Sequence, residues 1–160
     1  MNIRFSAGIG IVEIVVVIGI IGIALVGMIQ TVVLVSRPFA ADARQTQASY
    51  LAQEGIEAVR LVRDANWTNN IASLANNTTY YPTLTANVWT LSTSDPGTID
   101  GTYTRTVTLQ AVYRDANGNI SSSGTLDEKT RKVVSTVSWD EHGQNQSQQL
   151  ETYITNFQGS

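Results

Sequence analysis

Cysteine is absent from the 160-residue chain, and histidine occurs once, at His142. These gaps exclude disulfides, cysteine-based zinc sites, a cysteine nucleophile and a histidine cluster, so the folded part must be held by packing. The lack of cysteine does not specify a compartment, because many exported bacterial proteins do without disulfides. A Lys- or Arg-rich run is also missing. With a net charge of −3 and an isoelectric point of about 5.0, the chain carries no electrostatic footprint of a nucleic-acid binder.

No enzyme signature is present, and no cofactor is implied. Asp127, Glu128, Asp140 and Glu141 form no spaced carboxylate pair suited to general acid and base roles. His142 lies between Glu141 and Gly143 in an expected turn, where solvent exposure is its natural state. Asp115, Asn117 and Asn119 imitate the start of a calcium loop. The glycine, however, stands fourth where an EF-hand needs it sixth, and no Glu stands twelfth, which favours turn chemistry. Sequons at Asn66, Asn77 and Asn145 are expected by chance in a chain so rich in Asn, Thr and Ser.

What the chain does have is a long apolar run. Over residues 9–35 the only charge is Glu13, and Gln30 and Thr31 are the other clearly polar side chains. Residues 14–35 alone reach transmembrane length, since about 20 apolar residues span the hydrocarbon core. A secretory signal would have a shorter apolar stretch of roughly 7 to 15 residues before a small-residue cleavage site, so residues 36–41 (SRPFAA) fit that role poorly. The anomaly is Glu13, because a carboxylate at membrane depth costs roughly 2.5 to 3.5 kcal/mol. It needs a partner or a proton.

A short head, MNIRFSAG, with one cation at Arg4 and ending in Gly8, is followed directly by IGIVEIVVVIGII. This arrangement resembles the class III leader of type IV prepilins: a short basic leader, Gly at its last position, an apolar residue next, and Glu fifth in the mature chain. Cutting after Gly8 makes Ile9 the first mature residue, where the family usually has Phe, and places Glu13 fifth. The resemblance implies a membrane-embedded prepilin peptidase that cuts between Gly8 and Ile9 and methylates the new amine of Ile9. It also implies that the apolar helix stays attached as the core of a filament. The amine at Ile9 would be a cation near the apolar boundary, which Glu13 of the same or a neighbouring subunit neutralises; otherwise two isolated charges sit in low dielectric. The implied partners are the prepilin peptidase, other pilin subunits, a membrane assembly platform and, before assembly, the lipid bilayer. The implied location is the cytoplasmic membrane as a single-pass precursor with the C-terminal domain outside, then a cell-surface filament. Arg37 and Arg44 match or exceed Arg4 on the other flank, so orientation rests on the resemblance rather than on loop charge. The alternative is an uncleaved, single-pass anchor carrying an extracytoplasmic binding module.

Pro38 stands at the expected exit from the bilayer, where its missing N–H and ring clash should bend the helix. Beyond it Ala48, Leu51, Ala52, Gly55, Ile56, Val59 and Val62 recur at three- and four-residue spacing, with Gln47, Gln53, Glu57, Arg60 and Arg63 on other faces. An amphipathic helix ending near residues 64–66 follows, and a helix over residues 9–64 would be roughly 80 Å long. Residues 52–67 (AQEGIEAVRLVRDANW) also resemble a segment of pilin-like proteins that lack the family's disulfide loop, with Trp67 expected in the core.

Residues 69–98 read as a long connection with one short strand at 87–91. Alternation over residues 103–113 predicts a strand with Tyr103, Arg105, Val107, Leu109, Ala111 and Tyr113 on one face. Asn117-Gly118 predicts a tight turn. Residues 132–139 and 148–157 predict two more strands, joined by a turn over 140–146. The expected fold is α+β, a long N-terminal helix packed on a small antiparallel sheet. Its divisions are a leader (1–8), a membrane or filament-core helix (9–36), an amphipathic stalk helix (37–66) and an exposed β domain (67–160).

Overall fold

The computed structural model describes residues 10–157, apart from the side chains of residues 33–40. One helix, α1 (Ile11–Ala65), is followed by a π-helical turn (Thr68–Ala72). The strands are β1 (Thr79–Thr85), β2 (Val88–Ser92), β3 (Thr104–Arg114), β4 (Ile120–Ser121), β5 (Thr125–Glu141) and β6 (Gln144–Thr155). They form a six-stranded sheet in the order β2-β1-β3-β5-β6, with β4 paired to β3 and every pairing antiparallel. The fold is α+β, with an apolar helical segment at its N-terminal end. The chain divides into two compact units, one ending at Ala43 and one spanning Arg44–Ser160.

In the second unit α1 lays its small-residue stripe on the sheet. Ala48, Ala52, Ala58, Val59 and Val62 are buried, as amphipathic spacing requires. Two apolar clusters result. One gathers Val59, Val62, Trp67, Ile71, Tyr80, Val107, Leu109, Val133 and Ile154. The other gathers Ala48, Ala52, Tyr103, Val137 and Trp139, with the Tyr103 and Trp139 rings tilted at 57° and 6.0 Å apart. Each fully buried Val or Ile contributes roughly 1.5 to 3 kcal/mol, so these side chains dominate the stability of a cysteine-free domain.

Between the clusters lies a polar layer. Buried Arg105 donates to Glu54 Oε2 at 2.5 Å and to the Leu51 carbonyl at 3.4 Å, and its guanidinium stands 5.3 Å from the centre of the Trp89 ring. Ser135 on β5 is fully buried, and its hydroxyl has no hydrogen-bond partner. Gly55 of α1 faces this layer, and a Cβ there would collide with Ser135 Oγ and come within 3.1 Å of Arg105 Cδ.

The expected meander is present, with three corrections. Residues 69–98 are not a long connection with one strand: β1 and β2 form a hairpin in which Tyr80 and Pro82 are buried, while Trp89 and Leu91 pack against the first cluster. Threonine on the other face lent the stretch a loop-like composition, yet a β-branched residue suits a pleated, half-buried surface. β5 starts at Thr125, seven residues before the expected 132. Ala111 pairs with Arg131 but Val112 with Asp127, so residues 128–130 bulge out and break the alternation. Tyr113, beyond the bulge, is exposed, whereas Val107 and Leu109 before it are buried. Finally, β5 and β6 meet in a two-residue turn, His142-Gly143, both at positive φ (55° and 78°), which leaves strands where a seven-residue turn was expected.

The β1–β2 turn is built the same way, from Ala86 (φ 50°) and Asn87 (φ 64°). Positive φ at both positions matches the twist of a hairpin, but alanine pays a Cβ penalty of about 1 to 2 kcal/mol there. Ala86→Gly is therefore expected to stabilise the domain by about 1 kcal/mol, less than the full penalty because glycine also loosens the unfolded chain. Chemical denaturation followed by tryptophan fluorescence checks this; a lower midpoint for Ala86→Gly than for the parent would refute the strain.

Candidate assembly surface

The N-terminal part of α1 carries the chain's most unusual surface. Ile11–Val32 is a 22-residue helical segment of mean hydropathy 2.8, none of it buried, and long and apolar enough to cross a membrane. Ile11, Val12, Val15, Ile18, Ile23 and Met28 all stand more than 60% exposed. An exposed apolar face of this size marks an interaction surface of the kind a bilayer or neighbouring helices cover. Thr31 hides its hydroxyl on the Gly27 carbonyl at 2.9 Å, which lowers the cost of burying it in hydrocarbon. At Gly19, Gly22 and Gly27, inside α1, an added Cβ would meet nothing within 4 Å. Among the described residues, therefore, no contact accounts for glycine at positions where it costs a helix about 1 kcal/mol each.

Glu13 is the only charge in the segment and lies in the first turn of α1, where its amide donates to the Gly10 carbonyl at 3.0 Å. Its carboxylate is exposed and, among the described residues, forms no ion pair. The unsatisfied amides of the first turn favour an anion there by about 0.3 to 1 kcal/mol. Gly8 and Ile9, the expected cleavage and methylation positions, lie outside the described residues. The expected bend at Pro38 concerns residues 33–40, whose side chains also lie outside them, and the helical assignment continues through that stretch.

In the C-terminal unit the polar candidates are committed to structure. The Asp115 carboxylate accepts from the amides of Asn117 and Asn119, each at 2.9 Å, which closes the turn on itself. The Asn119 amide is the main reason that its carboxyl is held below the ordinary 3.8. Partial burial pushes the Asp127 carboxyl up, but bonds from Arg114 (2.7 Å), Thr130 and the Lys129 amide together hold it below its ordinary value. Glu141 pairs with Arg44 at 3.4 Å, Asp140 accepts from the Gly143 amide at 3.0 Å, and His142 is exposed in the β5–β6 turn. Among the described residues no group of three His, Cys, Asp or Glu side chains is placed to hold a metal ion.

Sequence reasoning passed over the sheet edges. β6 pairs with β5 through twelve unbroken residue pairs and is open on its other side, while β2 is the opposite edge. The available signal was the absence of any charged residue between Asp64 and Asp95, a stretch that carries the β1–β2 hairpin. Compared with protein-family models, with curated proteins and with solved structures, the chain has no match.

Proposed function

We propose that this chain is a pilin-like structural subunit of a type IV pilus or a related secretion-type filament. In this reading it is cut between Gly8 and Ile9, methylated on Ile9, and assembled through residues 9–35, with the sheet domain on the outside. The observation that carries the reading is the wholly exposed 22-residue apolar helix with a single carboxylate, Glu13, in its first turn. A simple anchor needs the apolar length and is weakened by the carboxylate; a bundle of processed subunits needs both, because each new amine requires a counter-charge in low dielectric. The amphipathic continuation of the same helix onto an antiparallel sheet suits a subunit that holds its domain at the filament surface. Its partners are then the prepilin peptidase, the assembly platform and other subunits, and its chemistry is assembly rather than catalysis.

Intact mass and N-terminal sequencing of the protein from its native membrane or sheared surface fraction test the reading. The expected mature chain begins at Ile9 with a methylated amine. A chain that keeps Met1 would instead make this an uncleaved anchor for an extracytoplasmic binding module.

A further inference from the structure

On the sheet face turned away from α1 the strands bring a mixed set of side chains together. Gln110 of β3 pairs with Lys132 of β5, and Lys132 pairs with Tyr153 of β6, so the three stand in one row across the sheet. Their neighbours Leu109 and Val133 are buried with Val59 and Val62 of α1, and strand alternation therefore puts the row on the opposite face. Beside the row lies β4, and a cleft of about 510 Å³ is lined by Gln110, Lys132, Tyr153, Ile120, Ser121 and Ser122. Small-molecule sites occupy roughly 300 to 1,000 Å³.

The chain itself fixes the β4 side of this cleft. Arg114 donates from Nε to Asp127 at 2.7 Å and from Nη1 to the Gly118 carbonyl at 2.8 Å, and the Asp115 carboxylate closes the turn that leads to Ile120. The chemistry of the lining is narrow. Its one charged residue, Lys132, is matched by Glu151 at 2.7 Å, so neither an anion nor a cation is favoured. Tyr153 and Ile120 are each 46% exposed and offer apolar surface. The side chains of Gln110, Ser122 and Tyr153 are engaged in no hydrogen bond among the described residues, which leaves an amide and two hydroxyls for a ligand. A sugar ring has the matching chemistry: its C–H face lies on an aromatic ring, and each hydroxyl at its rim both donates and accepts. A peptide strand fits less well. At Lys132 the main chain of β5 is paired on both sides, so the floor is made of side chains and gives a peptide no edge to extend.

We propose that this cleft binds a neutral glycan, with a sugar ring stacked on Tyr153 and its hydroxyls bonded by Gln110, Ser122 and Lys132. The cleft lies wholly in the C-terminal unit, so binding there is independent of cleavage at Gly8 and of assembly.

Saturation-transfer NMR on the full-length protein, solubilised in a detergent without a sugar headgroup, tests this. The probes are uncharged oligosaccharides ending in glucose, galactose, mannose or N-acetylglucosamine, sialylated and sulfated oligosaccharides, and an uncharged Ser/Thr-rich peptide. At least one uncharged oligosaccharide is expected to bind in preference to the charged ones and the peptide. Tyr153→Ala and Gln110→Leu are each expected to weaken that binding about tenfold, with the thermal midpoint unchanged. Tyr153→Phe keeps the ring and should keep most of the affinity, and Tyr50→Ala, which removes an exposed ring from α1, should leave it unaltered. Failure of every uncharged oligosaccharide to bind overturns the proposal, and so does a preference for the sialylated or sulfated glycans or for the peptide. Binding that survives both Tyr153→Ala and Gln110→Leu places the sugar elsewhere and overturns it as well.

Discussion

Glu13→Ala is expected to abolish recovery of the protein in the sheared surface fraction while retaining it, folded, in the membrane. A carboxylate in the bilayer costs roughly 2.5 to 3.5 kcal/mol at mid-depth and less near the interface. The first turn of α1, where Glu13 sits, offsets about 0.3 to 1 kcal/mol of that. For an inert anchor the carboxylate is thus a net burden of up to roughly 3 kcal/mol, and its removal strengthens anchoring by as much as about a hundredfold. In the proposed filament the same change leaves the Ile9 amine of each subunit buried without its counter-charge, at a cost of about 3 to 5 kcal/mol per site. The two readings therefore predict opposite signs.

Glu13→Gln sharpens the test, because it keeps the size and hydrogen-bonding capacity of the side chain and removes only the charge. It is expected to fail in assembly as Glu13→Ala does. Normal surface assembly of both variants would sink the charge-neutralisation role. Surface loss accompanied by loss of the membrane-held form would point instead to a folding or insertion defect. The C-terminal unit provides an internal control, since Trp67, Trp89 and Trp139 all lie in it and Glu13 does not.

How much of this was legible in sequence depended on whether a residue's role is local. The apolar run, the position of Glu13 and the stripe from Ala48 to Val62 follow from spacing along one helix, and spacing is visible in a string of letters. The alternation of Arg105, Val107 and Leu109 likewise announced β3, and Asn117-Gly118 announced its turn. The β1–β2 hairpin was hidden because its turn uses Ala86, a residue with no preference for positive φ, and because threonine on one face reads as loop. The start of β5 was hidden by a bulge whose extra residues reverse the period of the strand. In the candidate site, Glu13 stands out in sequence by its offset from Gly8, whereas the open β6 edge is a property of strand order, and no single segment encodes strand order. Arg105 shares its expected strand face with Val107 and Leu109, but its partnership with Glu54, fifty-one positions away in sequence, exists only in the folded chain.

Gly55 shows the same limit most sharply, and it carries the second large prediction. Read as a helix residue it is a defect, and Gly→Ala at an exposed helical site gains about 1 kcal/mol. Read in place, it is where α1 meets β5: a Cβ would overlap Ser135 Oγ and press on Arg105 Cδ at 3.1 Å. Overpacking of this kind costs about 1 to 3 kcal/mol, and the pinned backbone of β5 between β3 and β6 leaves the serine little room to retreat. Gly55→Ala is therefore expected to destabilise the domain despite its better propensity, with a midpoint several degrees lower in thermal unfolding. Ser135→Ala alone should be neutral or stabilising, because it removes a buried hydroxyl that has no partner. In the double variant the new Cβ meets the Cβ of residue 135 at 3.5 Å, an ordinary contact, and only the 3.1 Å approach to Arg105 Cδ remains, so most of the lost stability should return. The cycle then yields a coupling of about 1 to 3 kcal/mol between positions eighty residues apart in sequence. Additive effects, or a Gly55→Ala chain as stable as the parent, would mean that the helix does not lie as close to β5 as Gly55 permits.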